Sequence, residues 1–434
     1  MLDLLIKNAS LTDGRRVDVA VQGKQIAGVE ARIEAEAGRI IDAEDGLLTP
    51  PFVDSHFHMD STRSVGMPRY NESGTLLEGI RIWDELKPSL TPQAIKARAL
   101  QLCHWSIAQG IQAIRSHVDV SDPSLMAVDV LLEVRDEMRP WIDLQLVAFP
   151  QNGYLRHPGA RENLARALDK GVDVVGGIPH FERTMSDGTE SVRQLCEIAE
   201  QRGLQVDMHC DESDDPMSRH VETLAAETTR LGLQGRVTGS HLTSMHSMDN
   251  YYVSKLMPLM SEAQLHAVAN PLINITLQGR SDTYPKRRGM TRVKEMIGAG
   301  INVAMGHDCV MDPWYGMGSH DMLEVAHMGA HVGQMTGRDE LRACFAAVTE
   351  NAARVLGLED YGIEEGRVAN FILLQCRDAI DAIRLRANRL YVVRSGKVVA
   401  ESARRTSQLQ LDGTSVEVDF GQHTSTPDAT MAKH

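Results

Sequence analysis

Short apolar segments alternate with longer segments of helical spacing over most of the chain. The apolar segments recur eight times, at Phe52–His58, Ile111–Val120, Ile142–Pro150, Val172–Pro179, Leu204–His209, Val237–Leu242, Leu265–Pro271 and Ile301–His307. Helical spacing occurs between them, for example at Pro92–Ala108, Leu125–Arg135, Arg161–Leu168, Val192–Arg202 and His220–Leu231. Eight strands that alternate with helices predict a (β/α)8 TIM barrel, an α/β fold. An open α/β sheet has the same periodicity, so the pattern alone leaves that fold open.

The two ends of the chain have a different pattern, in which short strands are separated by turns. Strands are predicted at Leu2–Lys7, Val17–Val21, Gln25–Val29, Asn370–Gln375, Leu390–Arg394 and Lys397–Ala400. We therefore predict a small β-sandwich domain, built from residues 1–48 and 363–405, beside a barrel of residues 49–362. Residues 406–434 are polar and are predicted to form a loosely ordered or partner-dependent tail.

Composition and charge narrow the function more than the fold. The chain has 434 residues, of which 42% are hydrophobic and 24% charged, and its net charge is −14. An acidic protein without a basic stripe is a poor candidate for binding nucleic acid polymers, whereas a small neutral substrate is compatible with it. We predict no membrane span, because no segment approaches the roughly 20 apolar residues that a span requires.

Cysteine usage and the N-terminal segment predict a cytoplasmic protein. The six cysteines have no CxxC spacing, which fits a reducing compartment; they are Cys103, Cys196, Cys210, Cys309, Cys344 and Cys376. The first residues, MLDLLIKNASLTDG, contain neither a basic region nor a long apolar one, so we expect no signal peptide.

Ligand-type side chains stand where several predicted strands end. The first strand ends in His56-Phe57-His58, the fifth in His209 and the sixth near His241, and Asp308 follows the eighth. Histidines two apart on a strand point to the same face, and barrel enzymes collect their active-site residues at this end of the strands. An isolated HxH pair is more often structural, but its repetition at later strand ends favours a metal site.

His56, His58, His209 and Asp308 are therefore predicted to bind one divalent metal per chain. Three imidazoles and one carboxylate leave a position open for water, and a metal lowers the pKa of such a water toward neutrality. Zn(II) and Fe(II) both suit nitrogen and oxygen ligands, so the ligand set does not choose between them.

Two further residues are candidates for proton transfer and charge stabilisation. Glu212 lies three residues after His209 and is predicted to act as an acid and base beside the metal. It belongs to an acidic run, in which a solvated glutamate would be the ordinary interpretation. His241 is predicted to orient the water or stabilise charge on it, the alternative being a buried core histidine.

Several segments together resemble the amidohydrolase superfamily, and within it the cytosine deaminases. They are PPFVDSHFHMD, VAFPQ, MHCDE, GSHLT and MGHD, with DPWY at Asp312–Tyr315. The HxH pair alone marks only the superfamily, whereas the combination of VAFPQ, HCDE and GHDxxxDPWY is far more specific. The resemblance extends over nearly the whole chain, from the first predicted barrel strand to about residue 400.

The resemblance implies hydrolytic deamination of a free cytosine-type base, cytosine or 5-methylcytosine, with release of ammonia. It implies that Glu212 transfers protons to ring nitrogen N3 and to the leaving amine, and that Asp308 takes the proton of the attacking water. It further implies that Gln151 binds the N3/O2 edge of the pyrimidine and that Trp314 lies near the ring. Members of the family also tend to form homo-oligomers.

Two departures from related patterns change the expected chemistry. Two-metal members of the superfamily carry a bridging lysine at the end of the fourth strand, and residues 172–179 contain none, which favours one metal. Cytosine deaminases of this kind read GHDD at the eighth strand, whereas this chain has Cys309 in place of the second aspartate. We predict that Cys309 contacts the C5 edge of the base and widens the substrate range toward 5-methylcytosine.

Other functions remain open at this point. A related deaminase could act on isoguanine, a triazine or another heterocycle. A hydrolase of cyclic amides or esters is disfavoured by the missing lysine and by Glu212. A non-catalytic assembly protein on the same fold is disfavoured because none of the predicted ligands is missing.

Overall fold

A computed structural model describes residues 1–418, 420 and 421 of the chain. The chain divides into two compact units. One is Pro50–Gly362, and the other combines Met1–Thr49 with the segment that begins at Ile363. No helix in the described part of the chain is long and apolar enough to cross a membrane.

The elements are numbered in chain order. The strands are β1 (Leu2–Ser10), β2 (Arg16–Gln22), β3 (Gln25–Glu30), β4 (Ala37–Asp42), β5 (Leu47–Thr49), β6 (Phe52–Phe57), β7 (Ile111–Asp119), β8 (Asp143–Phe149), β9 (Val174–Gly177), β10 (Gln205–Cys210), β11 (Val237–His241), β12 (His266–Ala269), β13 (Val303–Met305), β14 (Phe371–Leu374), β15 (Arg389–Arg394), β16 (Lys397–Glu401), β17 (Ser407–Leu411) and β18 (Thr414–Val418). The α-helices are α1 (Leu76–Leu86), α2 (Pro92–Ala108), α3 (Met126–Met138), α4 (Ala160–Asp169), α5 (Met185–Arg202), α6 (His220–Arg230), α7 (Asn250–Glu262), α8 (Pro271–Leu277), α9 (Val293–Gly298), α10 (Met322–Val332), α11 (Arg338–Ala346), α12 (Glu350–Leu356) and α13 (Ala379–Leu385).

Strands β6 to β13 form one parallel sheet in which each strand pairs with its neighbours in the chain. The whole of β7 is buried, as expected for strands covered on both faces. The first and last strands meet beyond β13, where the His58 N–H donates to the Asp308 carbonyl at 2.9 Å. The Asp308 N–H returns a bond to the His56 carbonyl at 2.8 Å. These bonds close the sheet, so the predicted barrel is confirmed and the open sheet is excluded.

The predicted helices are present between the strands; α2 has the predicted bounds, and the others have shifted ends. Helix α5 begins at Met185 rather than Val192, because the hydroxyl of Thr184 accepts a hydrogen bond from the Asp187 N–H and caps the helix earlier. Helix α1 was not predicted. It follows the first barrel strand and is capped in the same way by Thr75, whose hydroxyl accepts from the Glu78 N–H.

The smaller unit is a sheet domain made from both ends of the chain, as predicted. Its strand order is β16-β15-β14-β5-β1-β2-β3, and β4 pairs with β1 as well. Strand β5 pairs antiparallel with β14, which places Thr49 opposite Ile372. The apolar core of this unit also draws on both ends, with Ile6 and Val19 from the first segment and Phe371 and Leu373 from the second.

Part of the predicted polar tail forms a regular hairpin instead of a loose segment. Strands β17 and β18 pair antiparallel and are joined by the two residues Asp412 and Gly413. Both have positive φ, 47° and 82°, which is the backbone of the tight turn that an Asp-Gly pair favours. The remaining tail prediction, for residues 419 and 422–434, lies outside the described residues.

Candidate active site

The four predicted ligand residues converge at the carboxyl ends of three barrel strands. His56 lies in β6 and His58 directly after it, His209 lies in β10, and Asp308 follows β13. The ring of His56 lies 4.6 Å from that of His209 and 5.5 Å from that of His58, measured between ring centroids. All four side chains are buried. The barrel thus brings together residues that are more than two hundred and fifty positions apart in sequence.

The distances between these side chains suit ligands of one metal ion. The Nε2 atoms of His58 and His209 are 3.0 Å apart. Oδ1 of Asp308 lies 3.4 Å from Nε2 of His58 and 3.7 Å from Nε2 of His56. Ligands bound at about 2.0–2.2 Å around a tetrahedral ion are separated by roughly 3.3–3.6 Å. Neither ring nitrogen of His56 has a hydrogen-bond partner among the described residues, so this buried ring fits a metal ligand.

The protonation of the three histidines agrees with this use. Burial lowers the pKa of His58 to about 4 and lowers the pKa values of His56 and His209 well below the usual range. Each ring is therefore neutral near pH 7 and has a lone pair available for a cation. His56, His58 and His209, and separately His56, His241 and Asp308, form groups that could hold a metal ion.

Two residues of the site hold an unusual backbone conformation. Asp308 has φ of 70° and His241 has φ of 71°. The left-handed region costs non-glycine residues of order 1–3 kcal/mol, and such strain concentrates at functional sites. At Asp308 the two main-chain bonds to β6 offset this cost and aim the carboxylate at the histidines.

His241 is fixed as the tautomer that carries its proton on Nε2. The side-chain oxygen of Asn274 accepts from the Asn270 N–H at 3.1 Å, so the amide nitrogen of Asn274 must face the other way. That nitrogen lies 3.0 Å from Nδ1 of His241 and donates to it. The Nε2–H of His241 then points toward Oδ2 of Asp308, at 3.7 Å.

Glu212 is a buried acid beside this ring. Its Oε1 lies 3.5 Å from Nδ1 of His241. Burial raises the pKa of Glu212 to about 8, so the carboxyl group is largely protonated near neutrality. A protonated carboxyl group can donate a proton to a ligand in the pocket, which a solvated loop glutamate cannot do at this pH.

These groups line one pocket of about 440 Å³, part of which is open to solvent. Gln151, Cys309 and Trp314 lie in its wall, as do all the predicted site residues except His56, which is buried among the other histidines. The apolar part of the wall is formed by Leu76, Ile80, Ile178, Phe181, Ile273 and Leu277. The mixture of apolar and polar groups in the wall suits a small ligand that has both kinds of edge.

Helix α1 sets the position of Trp314. A Cβ atom placed on Gly79 would lie 2.3 Å from Cδ1 of the indole, so only glycine allows this approach. The indole also lies near His58, with ring centroids 6.3 Å apart. Sequence reasoning missed Gly79, because a glycine inside a helix carries no sign of its tertiary neighbour.

Cys309 lies beside the proposed ligand Asp308 and is 3% exposed. Its Sγ is 3.5 Å from Oδ1 of Asp308 and donates to it. Burial and the neighbouring carboxylates of Asp308 and Asp312 raise the pKa of the thiol well above its usual range. Cys309 is therefore a neutral thiol and presents a compact, weakly polar surface to the pocket.

Two other site residues also escaped prediction from the sequence. Asn274 stands four residues after Asn270 in the segment ANPLINIT, and this helical spacing was the available indication that both side chains share a face. His180 lines the pocket after the fourth barrel strand, and burial lowers its pKa to about 4. Its sequence context, Ile178-Pro179-His180, shows no ligand pattern.

The chain matches the model of an amidohydrolase family over residues 39–400. It is similar to the crystal structure of a 5-methylcytosine deaminase from Klebsiella pneumoniae liganded with phosphonocytosine, with 43% identity and a TM-score of 0.90. That likeness covers 92% of this chain and 99% of the other.

The chain is also similar in sequence to two proteins that are named for other activities. The chain is 29% identical over 411 residues to N-isopropylammelide isopropyl amidohydrolase from Pseudomonas sp. (strain ADP), covering 92% of this chain and 97% of that protein. It is 26% identical over 365 residues to a pterin deaminase from Rhizobium rhizogenes, covering 83% of this chain and 82% of that protein. These matches agree with the superfamily inferred from the motifs. The chain therefore belongs to the amidohydrolase family, a family of metal-dependent hydrolases.

Proposed function

We propose that the chain deaminates a free cytosine-type base hydrolytically, with 5-methylcytosine as the preferred substrate and ammonia as the product. The observation that carries the proposal is the set of residues that line the pocket described above. It combines a histidine and aspartate cluster, the protonated acid Glu212, the carboxamide of Gln151 and the thiol of Cys309. The likeness to the Klebsiella pneumoniae deaminase supports the same substrate class.

His56, His58, His209 and Asp308 would hold one divalent metal, Zn(II) or Fe(II). Such an ion supplies a nucleophilic oxygen at neutral pH by lowering the pKa of water. A second ion at the neighbouring group of His56, His117 and Asp207 is disfavoured because Asp207 is already paired. Arg115 lies 3.0 Å from one oxygen of Asp207, and the Ser240 hydroxyl donates to the other at 2.7 Å.

The chain's own side chains would divide the proton transfers among them. Asp308 accepts the proton of the attacking water, and the Nε2–H of His241 donates to the oxygen that adds at C4. Glu212 gives its proton to N3 of the ring, takes up the proton of the hydroxyl group that has added at C4, and delivers that proton to the leaving amine. The proton held by Asp308 then returns to Glu212. General acid–base steps of this kind contribute about 10²–10⁴-fold to a rate.

Gln151 and Trp314 would orient the base. The carboxamide of Gln151 can donate to O2 and, once Glu212 has protonated N3, accept from the N3–H, which matches the N3/O2 edge of the base. Trp314, held by Gly79, forms an aromatic wall near the ring. Holding C4 near the attacking oxygen converts binding into rate enhancement.

Cys309 would select the 5-methyl group. A carboxylate at this position would need hydration or a hydrogen bond, which a neighbouring methyl group cannot supply. A neutral thiol can contact a methyl group without that cost. Because one methyl in an apolar pocket is worth about 1–3 kcal/mol, the expected preference is roughly 10- to 200-fold.

The deciding experiment measures ammonia release by the metal-loaded enzyme from cytosine, 5-methylcytosine, isoguanine and adenine. We expect kcat/KM to be highest for 5-methylcytosine in the wild type and to shift toward cytosine in Cys309→Asp. A wild type that deaminates cytosine well and 5-methylcytosine barely would contradict the role of Cys309. Activity confined to isoguanine or adenine would replace the pyrimidine proposal with deamination of another heterocycle.

We also propose a cytoplasmic homo-oligomer. All six cysteines are free and buried, which suits a reducing compartment, and the family resemblance supports self-assembly. Light scattering on the purified enzyme measures the assembly directly, and a monomer at micromolar concentration would contradict it.

A further inference from the structure

We propose that Asp54, held by His320 and Ser106, sets the spacing of the metal ligands on the first and last barrel strands. His320 is then a positioning residue for the metal, although it contacts none of the ligands by a hydrogen bond. The inference rests on the proposed assignment of His56, His58 and Asp308 as ligands.

One carboxylate oxygen of Asp54 connects the first barrel strand to the segment that follows the last one. Asp54 lies in β6, two residues before His56, and is fully buried. Its Oδ1 accepts from the His56 N–H at 3.2 Å and from the His307 N–H at 3.1 Å. A single carboxylate oxygen therefore binds the main chain of His56 and the main chain of His307. Because His307 directly precedes Asp308, this oxygen links one proposed ligand to the neighbour of another.

The other oxygen of Asp54 is held by His320, which lies between β13 and α10. Nε2 of His320 lies 2.8 Å from Oδ2 of Asp54, and Nδ1 of His320 lies 2.7 Å from Oγ of Ser106. The Ser106 hydroxyl has a single proton, which it donates to Nδ1 of His320 when Nε2 carries the ring proton; its oxygen also lies 2.8 Å from the Leu102 carbonyl in α2. Asp54, His320 and Ser106 are all fully buried, so water does not replace any of these bonds.

A connected series of this kind matters because metal affinity depends on ligand placement to within about 0.2 Å. A buried carboxylate that loses one hydrogen-bond donor turns toward another donor or is left unpaired. Either change weakens the bonds from Oδ1 to the two ligand strands. Removing groups that orient metal ligands costs about 10–100-fold in metal affinity.

Two substitutions of His320 separate positioning from mere packing. The side-chain nitrogen of glutamine in His320→Gln lies at about the place of Nε2 and can still donate to Asp54. The shorter amide of His320→Asn reaches only the place of Nδ1, beside Ser106. Both variants replace the ring by a neutral amide, and His320→Asn removes one methylene group more than His320→Gln. Thr228→Val is a further control, because the Thr228 hydroxyl lies close to the Leu224 carbonyl, as the Ser106 hydroxyl does to the Leu102 carbonyl, but contacts no proposed ligand.

The experiment measures Zn(II) affinity by competition with a chromogenic chelator and records the absorption spectrum of the Co(II)-substituted enzyme. We expect His320→Asn to bind Zn(II) about 10–100-fold more weakly and to show an altered Co(II) spectrum. We expect His320→Gln and Thr228→Val to stay within about threefold of the wild type, well below the change that ligand-orienting groups cause.

Equal losses in His320→Asn and His320→Gln, or no loss in either, would overturn the positioning role. A wild type that binds no metal would overturn the ligand assignment itself and this inference with it. The readout is independent of the substrate, so a wrong choice of base in the proposed function leaves the result intact.

Discussion

Glu212 shows at the residue scale how burial changes the use of an ordinary side chain. Three other acids, Asp211, Asp214 and Asp215, lie in the same segment, yet of these four only Glu212 lies in the pocket wall. Burial raises the pKa of Glu212 to about 8. Asp215 is exposed and accepts from the Met217 N–H. Position relative to the pocket, not the local sequence, therefore separates the proposed acid from its neighbours.

Glu212→Gln should keep the metal and the fold but lose about 10²–10⁴-fold in kcat, because an amide cannot transfer a proton. Steady-state kinetics together with metal content measures both effects, and Asp215→Asn is the matched control that should stay near the wild type. Retention of more than about a tenth of the wild-type rate would be too much for the loss of an acid–base step, and Glu212 would then be only a wall residue.

Asn274→Asp should lower kcat by about 100-fold or more while metal content and KM change little. An aspartate at position 274 would accept a hydrogen bond from Nδ1 of His241. The ring would then carry its hydrogen on Nδ1 and lose the Nε2–H that faces Asp308. Serine proteases lose about 10⁴-fold when their histidine is held as the wrong tautomer. A kcat within about threefold of the wild type would contradict this assignment of the tautomer, given the size of such effects.

At the scale of elements, helix α1 forms part of the active site although it lies outside the repeating strand–helix pattern. Its Leu76 and Ile80 line the pocket, and Gly79 lets the indole of Trp314 lie against the helix. The barrel strands position the proposed metal ligands, and α1 limits the volume of the pocket that the substrate would occupy. A change on α1 should therefore affect substrate binding without affecting the metal.

Gly79→Ala should raise KM, because its methyl group would have to displace Trp314. Overpacking costs about 1–3 kcal/mol, which corresponds to a loss of roughly 5- to 150-fold in kcat/KM. Gly298→Ala is a suitable control, since a Cβ atom there meets nothing within 4 Å. Unchanged kinetics in Gly79→Ala would mean that Trp314 does not restrict the substrate.

The elements also show which features the sequence could predict. Strand ends such as His56, His209 and Asp308 were predictable, because parallel strands of a barrel deliver their ends to one face. The roles of His320 and Gly79 were not, since each depends on a contact with a residue more than two hundred positions away. The hairpin at β17 and β18 was missed although its Asp412-Gly413 pair is a strong turn indication, because polar composition was given more weight.

At the scale of the whole molecule, metal binding and folding should be linked. The proposed ligands join β6, β10 and the end of β13 across the barrel, so an ion bound there stabilises the folded state by RT ln(1 + [L]/Kd). Removal of the metal should therefore lower the melting temperature as well as abolish activity, and His209→Ala should behave like the stripped enzyme.

Calorimetry before and after chelation, with elemental analysis, measures this linkage. At a free metal concentration of about 1,000 Kd the stabilisation amounts to about 4 kcal/mol. We expect one metal per chain. Two tightly bound metals per chain, both required for activity, would contradict the one-metal site.

The pairing of β5 with β14 has a consequence for synthesis on the ribosome. More than three hundred residues separate the two strands, and translation adds about 5–20 residues per second. At these rates, synthesis of the segment between β5 and β14 takes roughly 15–65 s. Until then the sheet that contains the N-terminal strands is incomplete. During that interval β5 has an uncovered edge, which is prone to pair with other chains. The first part of this protein to be made is therefore among the last to be finished, and its yield in a cell should depend on chaperones that act while the barrel is still being synthesised.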